Sequence, residues 1–201
     1  MKVVSAIFHP LLMATYCSML FYVTIPEIFT PIPREFIPYF IGAIFVTTAL
    51  IPGLSILFML VTSRVSNLEI TDIRERFFPF FSIGLFYGAS TYMFYTKMIL
   101  PQPLLVIMLG VTVMIFLILL ISLRFKISVH SAGIWGVAGF YSALSIKYLA
   151  SGTLLPLLVI FLLAGLTTSS RLYLNRHTTT ESWSGAIFGF LFCFMCFAFF
   201  G

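Results

Sequence analysis

The chain has 201 residues, of which 61% are hydrophobic and 8% charged, and its mean hydropathy is +1.12. An ordinary soluble domain carries about a quarter charged residues, so 11 Lys/Arg and 6 Asp/Glu exclude a water-covered globule, and the outer surface must meet lipid. The net charge of +5 is scattered singly between apolar runs, which excludes a nucleic-acid stripe and leaves anionic lipid or phosphate, with topology bias, to account for the excess.

A spanning helix needs about 20 apolar residues. In chain order, stretches of that kind fall at residues 4–25, 37–62, 77–95, 101–123, 131–149, 153–170 and 182–200. The expected fold is an all-α integral membrane protein, a bundle of six to seven transmembrane helices forming a single domain over residues 1–201. The first stretch is the least regular, because Pro10 either opens or kinks it, and Pro52 is expected to kink the second. The chain start has neither a strong basic run nor a small-residue cleavage site and reads as a retained anchor. The 3 cysteines are too few for a disulfide framework, and Cys193 and Cys196 read as small residues of an apolar helix.

Each crossing reverses the membrane side, so three polar segments far apart in sequence, 64–76, 124–130 and 169–181, are expected to share one face. They hold Glu69, Asp72, Arg74, Glu75, Arg76, Arg124, Lys126, Ser128, His130, Ser170, Arg171, Arg176, His177 and Glu181. The opposite face holds Glu27, Arg34, Glu35, Lys97 and Lys147. Ionisable groups at the edge of an apolar bundle are costly, and gathering them on one side points to a site.

Within that set, His177 and Glu181 stand four residues apart at the start of the last span, on one expected helix face. A carboxylate there can take the proton of one imidazole nitrogen and leave the other nitrogen's lone pair free, which suits a nucleophile or base. Arg171 and Arg176 lie just upstream, and guanidinium forks match phosphate oxygens. Gly133, Gly136 and Gly139, with Gly185 and Gly189, are expected to let the helices bearing His130 and His177 approach closely. His9 has no evident partner in the sequence and reads as structural.

These residues resemble the motifs of the type 2 phosphatidic acid phosphatase family, whose fold is shared with vanadium haloperoxidases. Ser170-Arg171, then Leu-Tyr-Leu-Asn-Arg, His177, three threonines and Glu181 follow the family's third motif, Ser-Arg, five residues, His, three residues, Asp, with the final Asp lengthened to Glu. Ile127-Ser128-Val129-His130 keeps the Ser and His of the second motif, Pro-Ser-Gly-His. Arg74-Glu75-Arg76-Phe77-Phe78-Pro79 stands where the first motif, Lys, six residues, Arg-Pro, would fall, without its lysine. The resemblance runs over residues 64–201 and implies a divergent bacterial member.

It further implies a metal-independent lipid phosphatase, needing no cofactor, that hydrolyses a phosphomonoester or pyrophosphate through a phosphohistidine. His177 would be the nucleophile, Glu181 would orient it, and His130 would protonate the leaving oxygen. Arg171, Ser128, Arg76, Arg74 and Lys126 would hold the phosphate. Undecaprenyl pyrophosphate, phosphatidic acid, phosphatidylglycerol phosphate and lipid A phosphates are equally compatible substrates. The implied setting is a bacterial inner membrane with the site on its outer face. The alternatives are a lipid phosphotransferase using the same site and a noncatalytic membrane transport or assembly protein.

Overall fold

The computed structural model describes residues 1–67, 70, 72–97, 100–148 and 152–201. Glu69, one of the clustered polar residues above, lies outside the described residues. Helix is the expected solution for so apolar a chain, because lipid offers backbone N–H and C=O groups no partner and each segment must satisfy its own. Among the described residues there is no β-strand.

The first apolar stretch is interrupted. Helix α1 covers Lys2–Ile7, a 3-10 turn covers Pro10–Leu12, and α2 covers Met13–Thr24. Pro10 lacks an N–H and has its φ fixed, so it opens the turn rather than kinking a continuous helix. The His9 ring caps it, its Nδ1 accepting the Leu11 N–H at 3.4 Å.

The second stretch comprises α3 (Ile37–Phe45), a π turn (Val46–Leu50) and α4 (Ile51–Val61). Pro52 cannot donate to the carbonyl four residues back, and the widened turn just before it is how the backbone accommodates that loss. The Thr47 and Thr48 hydroxyls donate to the Ala43 and Ile44 carbonyls beside this turn. The chain continues through α5 (Phe77–Lys97), α6 (Gln102–Ile121), α7 (Val129–Tyr148), α8 (Leu154–Tyr173) and α9 (Thr179–Phe200).

Among the described residues, four segments are long and apolar enough to cross a membrane: Arg34–Val61, α6, α8 and α9. The protein is therefore an all-helical membrane protein. Helices α5 and α7, at 21 and 20 residues, have the length but a more polar composition, and Pro10–Thr24 is apolar but shorter. The physical reason is clearest in α7, where Ala132, Ala138, Tyr141 and Leu144 are fully enclosed by neighbouring helices. A helix surrounded by protein can carry Gly, Ser and Ala where a lipid-facing one needs Leu, Ile and Phe.

Helix α7 packs most extensively against α9. A Cβ on Gly139 would lie 2.4 Å from the Phe190 carbonyl oxygen, one on Gly185 2.4 Å from that of Ser128, and one on Gly189 2.2 Å from that of Ala132. These three glycines put the two backbones in direct contact, as the sequence pattern predicted. Gly136 faces Cys193 on the same seam, whereas Gly133 turns the other way, toward Met13 and Pro10.

Candidate active site

The local chain path around His177 follows from two short motifs placed back to back. Helix α8 ends with Asn175 at φ 52°, the left-handed conformation that Asn tolerates better than most residues. The Asn175 N–H donates to the Leu172 carbonyl at 2.9 Å and the Arg176 N–H to that of Arg171 at 3.1 Å. This pair of bonds closes a Schellman turn. Two residues later Thr178 caps α9 through its hydroxyl, which accepts the Glu181 N–H at 3.2 Å, while Glu181 Oε2 accepts the Thr178 N–H at 3.1 Å. That reciprocal pair is a capping box.

Held between a helix stop and a helix start, His177 points back into the bundle with its side chain 4% exposed. Its Nδ1–H donates to Glu181 Oε2 at 2.9 Å. The sequence placed this pair on one face of the last helix; in the structure His177 precedes α9, and it is the capping box that aims the carboxylate. One Glu181 oxygen serves both the imidazole and the Thr178 N–H.

Four further groups meet His177 around one cavity of about 60 Å³: Arg76, His130, Arg171 and His9. A water needs roughly 10–15 Å³ on such a measure, so the space admits a few waters or one small anion. Arg76, immediately before α5, is 3% exposed. Its Nε donates to the Ile70 carbonyl at 3.2 Å and an Nη to that of Ile127 at 3.0 Å, and the guanidinium lies 5.6 Å from the Phe80 ring centre. Arg171, in the last turn of α8, is 1% exposed and donates to the Ser5 hydroxyl. His130 opens α7, whose start is tied to α9 by the Ser128 N–H donating to the Glu181 carbonyl at 3.1 Å.

The electrostatics favour an anion. Burial lowers the Arg76 pKa to about 10, with Arg171 adding to the effect and Glu181 opposing it, so the guanidinium stays charged at neutral pH. Burial also lowers His177, to about 4; the Glu181 hydrogen bond opposes this, and Arg76 and Arg171 reinforce it. At pH 7 the ring is neutral, with Nδ1 committed to Glu181 and the Nε2 lone pair available. Two fixed cations beside a neutral imidazole make a cavity complementary to a phosphoryl group.

Three residues expected to hold the phosphate do not line this cavity. Ser128 is fully buried and does not line the cavity; its Oγ accepts the Ser131 hydroxyl at 3.1 Å and the Ser131 N–H at 3.4 Å, capping α7. Arg74 is exposed and lines neither this cavity nor the wider one that Lys126 lines, because the 3-10 turn Ile73–Glu75 points it to the surface while Arg76 turns inward. Lys126 lines a wider cavity of about 510 Å³, whose wall also includes His177, Arg176 and Glu181. Among the described residues no group of three or more His, Cys, Asp or Glu is arranged to hold a metal ion.

His9, read from the sequence as structural, is the residue that reading missed: its ring meets that of His130 at 5.3 Å between centroids. The signal was present in the crossing pattern, which puts the start of the first apolar stretch on the same face as the other two histidines. Compared with protein-family models, with curated proteins and with solved structures, the chain finds no match.

Proposed function

We propose that this protein is a membrane lipid phosphatase that removes a terminal phosphate from a lipid phosphomonoester or pyrophosphate through a phosphohistidine on His177. The observation that carries the reading is one cavity in which a neutral imidazole oriented by a carboxylate faces a second imidazole and two buried guanidinium groups. The motif resemblance supports the same assignment and makes the chain a divergent bacterial member of the type 2 phosphatidic acid phosphatase family, with its core over residues 64–201. In this reading six helical segments, Arg34–Val61 and α5 to α9, cross the inner membrane and Pro10–Thr24 adds a shorter seventh crossing. The site then opens on the outer face.

The chemistry proceeds in two steps. The Nε2 lone pair of His177 attacks phosphorus, the bond from phosphorus to the leaving oxygen breaks, and His130, made an imidazolium by the proton that the phosphate monoanion brings into the site, passes that proton to the leaving oxygen and returns to neutral. Arg76 and Arg171 hold the equatorial oxygens as their charge grows, while Glu181 stabilises the positive charge on the His177 ring. Water then attacks phosphorus and gives a proton to His130, and the N–P electron pair returns to Nε2. The products are a lipid alcohol, or the next lower phosphate, and inorganic phosphate.

The test is phosphate release from a panel of polyprenyl pyrophosphate, phosphatidic acid and phosphatidylglycerol phosphate by purified protein in detergent with chelator present. His177→Ala is expected to lower release by at least about a thousandfold and His130→Ala by roughly a hundredfold. Equal release from all three proteins overturns the proposal, and release that requires added metal overturns the mechanism. Transfer of phosphate to an added alcohol in preference to water selects the phosphotransferase alternative.

A further inference from the structure

The N-terminal segment enters the anion site from outside every motif the sequence offers. Helix α1 packs against α8, and the turn at Pro10 packs against α7. This brings Ser5, 7% exposed, to the Arg171 guanidinium, which donates to its hydroxyl, and the Ser5 backbone faces the His130 ring. The His9 and His130 rings meet edge to face, their planes at 83°. A six-residue helix is too short to hold itself together, so its order comes from these tertiary contacts.

We propose that Ser5 and His9 are positioning residues of the anion site, Ser5 fixing the guanidinium of Arg171 and His9 fixing the ring of His130. The inference rests on the phosphatase reading and adds a chain segment to it that the family motifs do not include. Both partners need such help. The ring torsion of a histidine is broad and soft, yet a general acid works only if its N–H stays within hydrogen-bond reach of the leaving oxygen. A ring packed against its edge or face restricts that torsion. Arg171 has five N–H donors in a rigid fork, so anchoring one of them on Ser5 sets the direction of the others.

A purely structural role for His9 is separable, because its cap needs only the Nδ1 acceptor, which a smaller side chain can supply, whereas its contact with His130 needs the whole ring. Asn is among the best helix-capping residues, so His9→Asn keeps an acceptor for the Leu11 N–H while removing the ring beside His130. The experiment uses the full chain in detergent, with steady-state phosphate release from a polyprenyl pyrophosphate, inhibition by orthovanadate, and melting temperature as readouts. His9→Asn is expected to melt like wild type, with kcat lowered by roughly a hundredfold and KM little changed. Ser5→Ala is expected to weaken orthovanadate inhibition by about tenfold, and Ser5→Thr to restore it.

Wild-type turnover in His9→Asn, or loss of turnover together with a lowered melting temperature, leaves His9 a cap and overturns its half of the proposal. Unchanged orthovanadate inhibition in Ser5→Ala overturns the other half. Failure of the phosphatase reading looks different, since wild type itself would then neither release phosphate nor respond to orthovanadate.

Discussion

The α7–α9 seam and the α5–α6 pair are both contacts between neighbouring helices, built in different ways. On the seam, Gly139, Gly185 and Gly189 bring backbone against backbone, and the fixed peptide groups leave no freedom for adjustment. Between α5 and α6, Gly84 receives the tip of the Phe116 ring, Phe81 meets the same ring edge-on at 6.3 Å, and the Thr91 and Thr112 hydroxyls lie 3.5 Å apart. Side chains fill that contact and can move. The seam is also the element that joins the catalytic candidates, since His130 lies in the first turn of α7 and His177 just precedes α9. Lipid gives helices no hydrophobic reason to associate, so accuracy at the site has to come from close packing, and it is concentrated where the two imidazoles need it.

The sharpest way to break this contrast is Gly189→Ala. The added methyl collides with the Ala132 carbonyl, and relief requires the helices to part. The expected outcome is a loss of about 1–3 kcal/mol of stability and, because a displacement of an ångström at a reacting group is worth roughly a hundredfold, a comparable fall in phosphate release. Denaturation and turnover measured on one preparation check both.

A second, smaller effect is a pH dependence confined to the seam's polar end. His177 moves from an ordinary 6.5 to about 4 in the folded chain, chiefly through burial. Between these values the unfolded chain takes up a proton that the folded chain refuses, so stability falls as pH drops from about 6.5 to about 4 and is insensitive to this group above 6.5. Melting temperatures across that window are expected to fall with pH in wild type and to fall less steeply in His177→Gln. Turnover that needs the neutral ring persists to about pH 4. The smallest effect is expected from Gly84→Ala, where a ring tip can swing aside: under about 1 kcal/mol, with phosphate release unchanged. A loss there equal to that of Gly189→Ala would erase the distinction between the two contacts.

Much of this was legible in the chain because it is local. The scarcity of charge dictates lipid as the solvent, and the helices follow from the backbone's need for partners there. His177 and Glu181 stand four residues apart, and glycines of α7 and α9 fall at positions that meet. Counting the apolar runs leads to the expectation that the polar segments share one face. These properties depend on spacings within a few residues or on the count of apolar runs.

The choice among neighbouring candidates was not legible. Arg76 turns inward and Arg74 outward by the phase of one 3-10 turn, Ser128 caps α7 in place of facing the cavity, and His9 and Ser5 join residues more than 100 positions away. Composition and local spacing established a membrane bundle with a polar end and a histidine–carboxylate pair. Which polar side chains share the cavity was set by how the helices rotate against one another, because a turn of less than half a revolution exchanges an inward group for an outward one and no local pattern records that rotation.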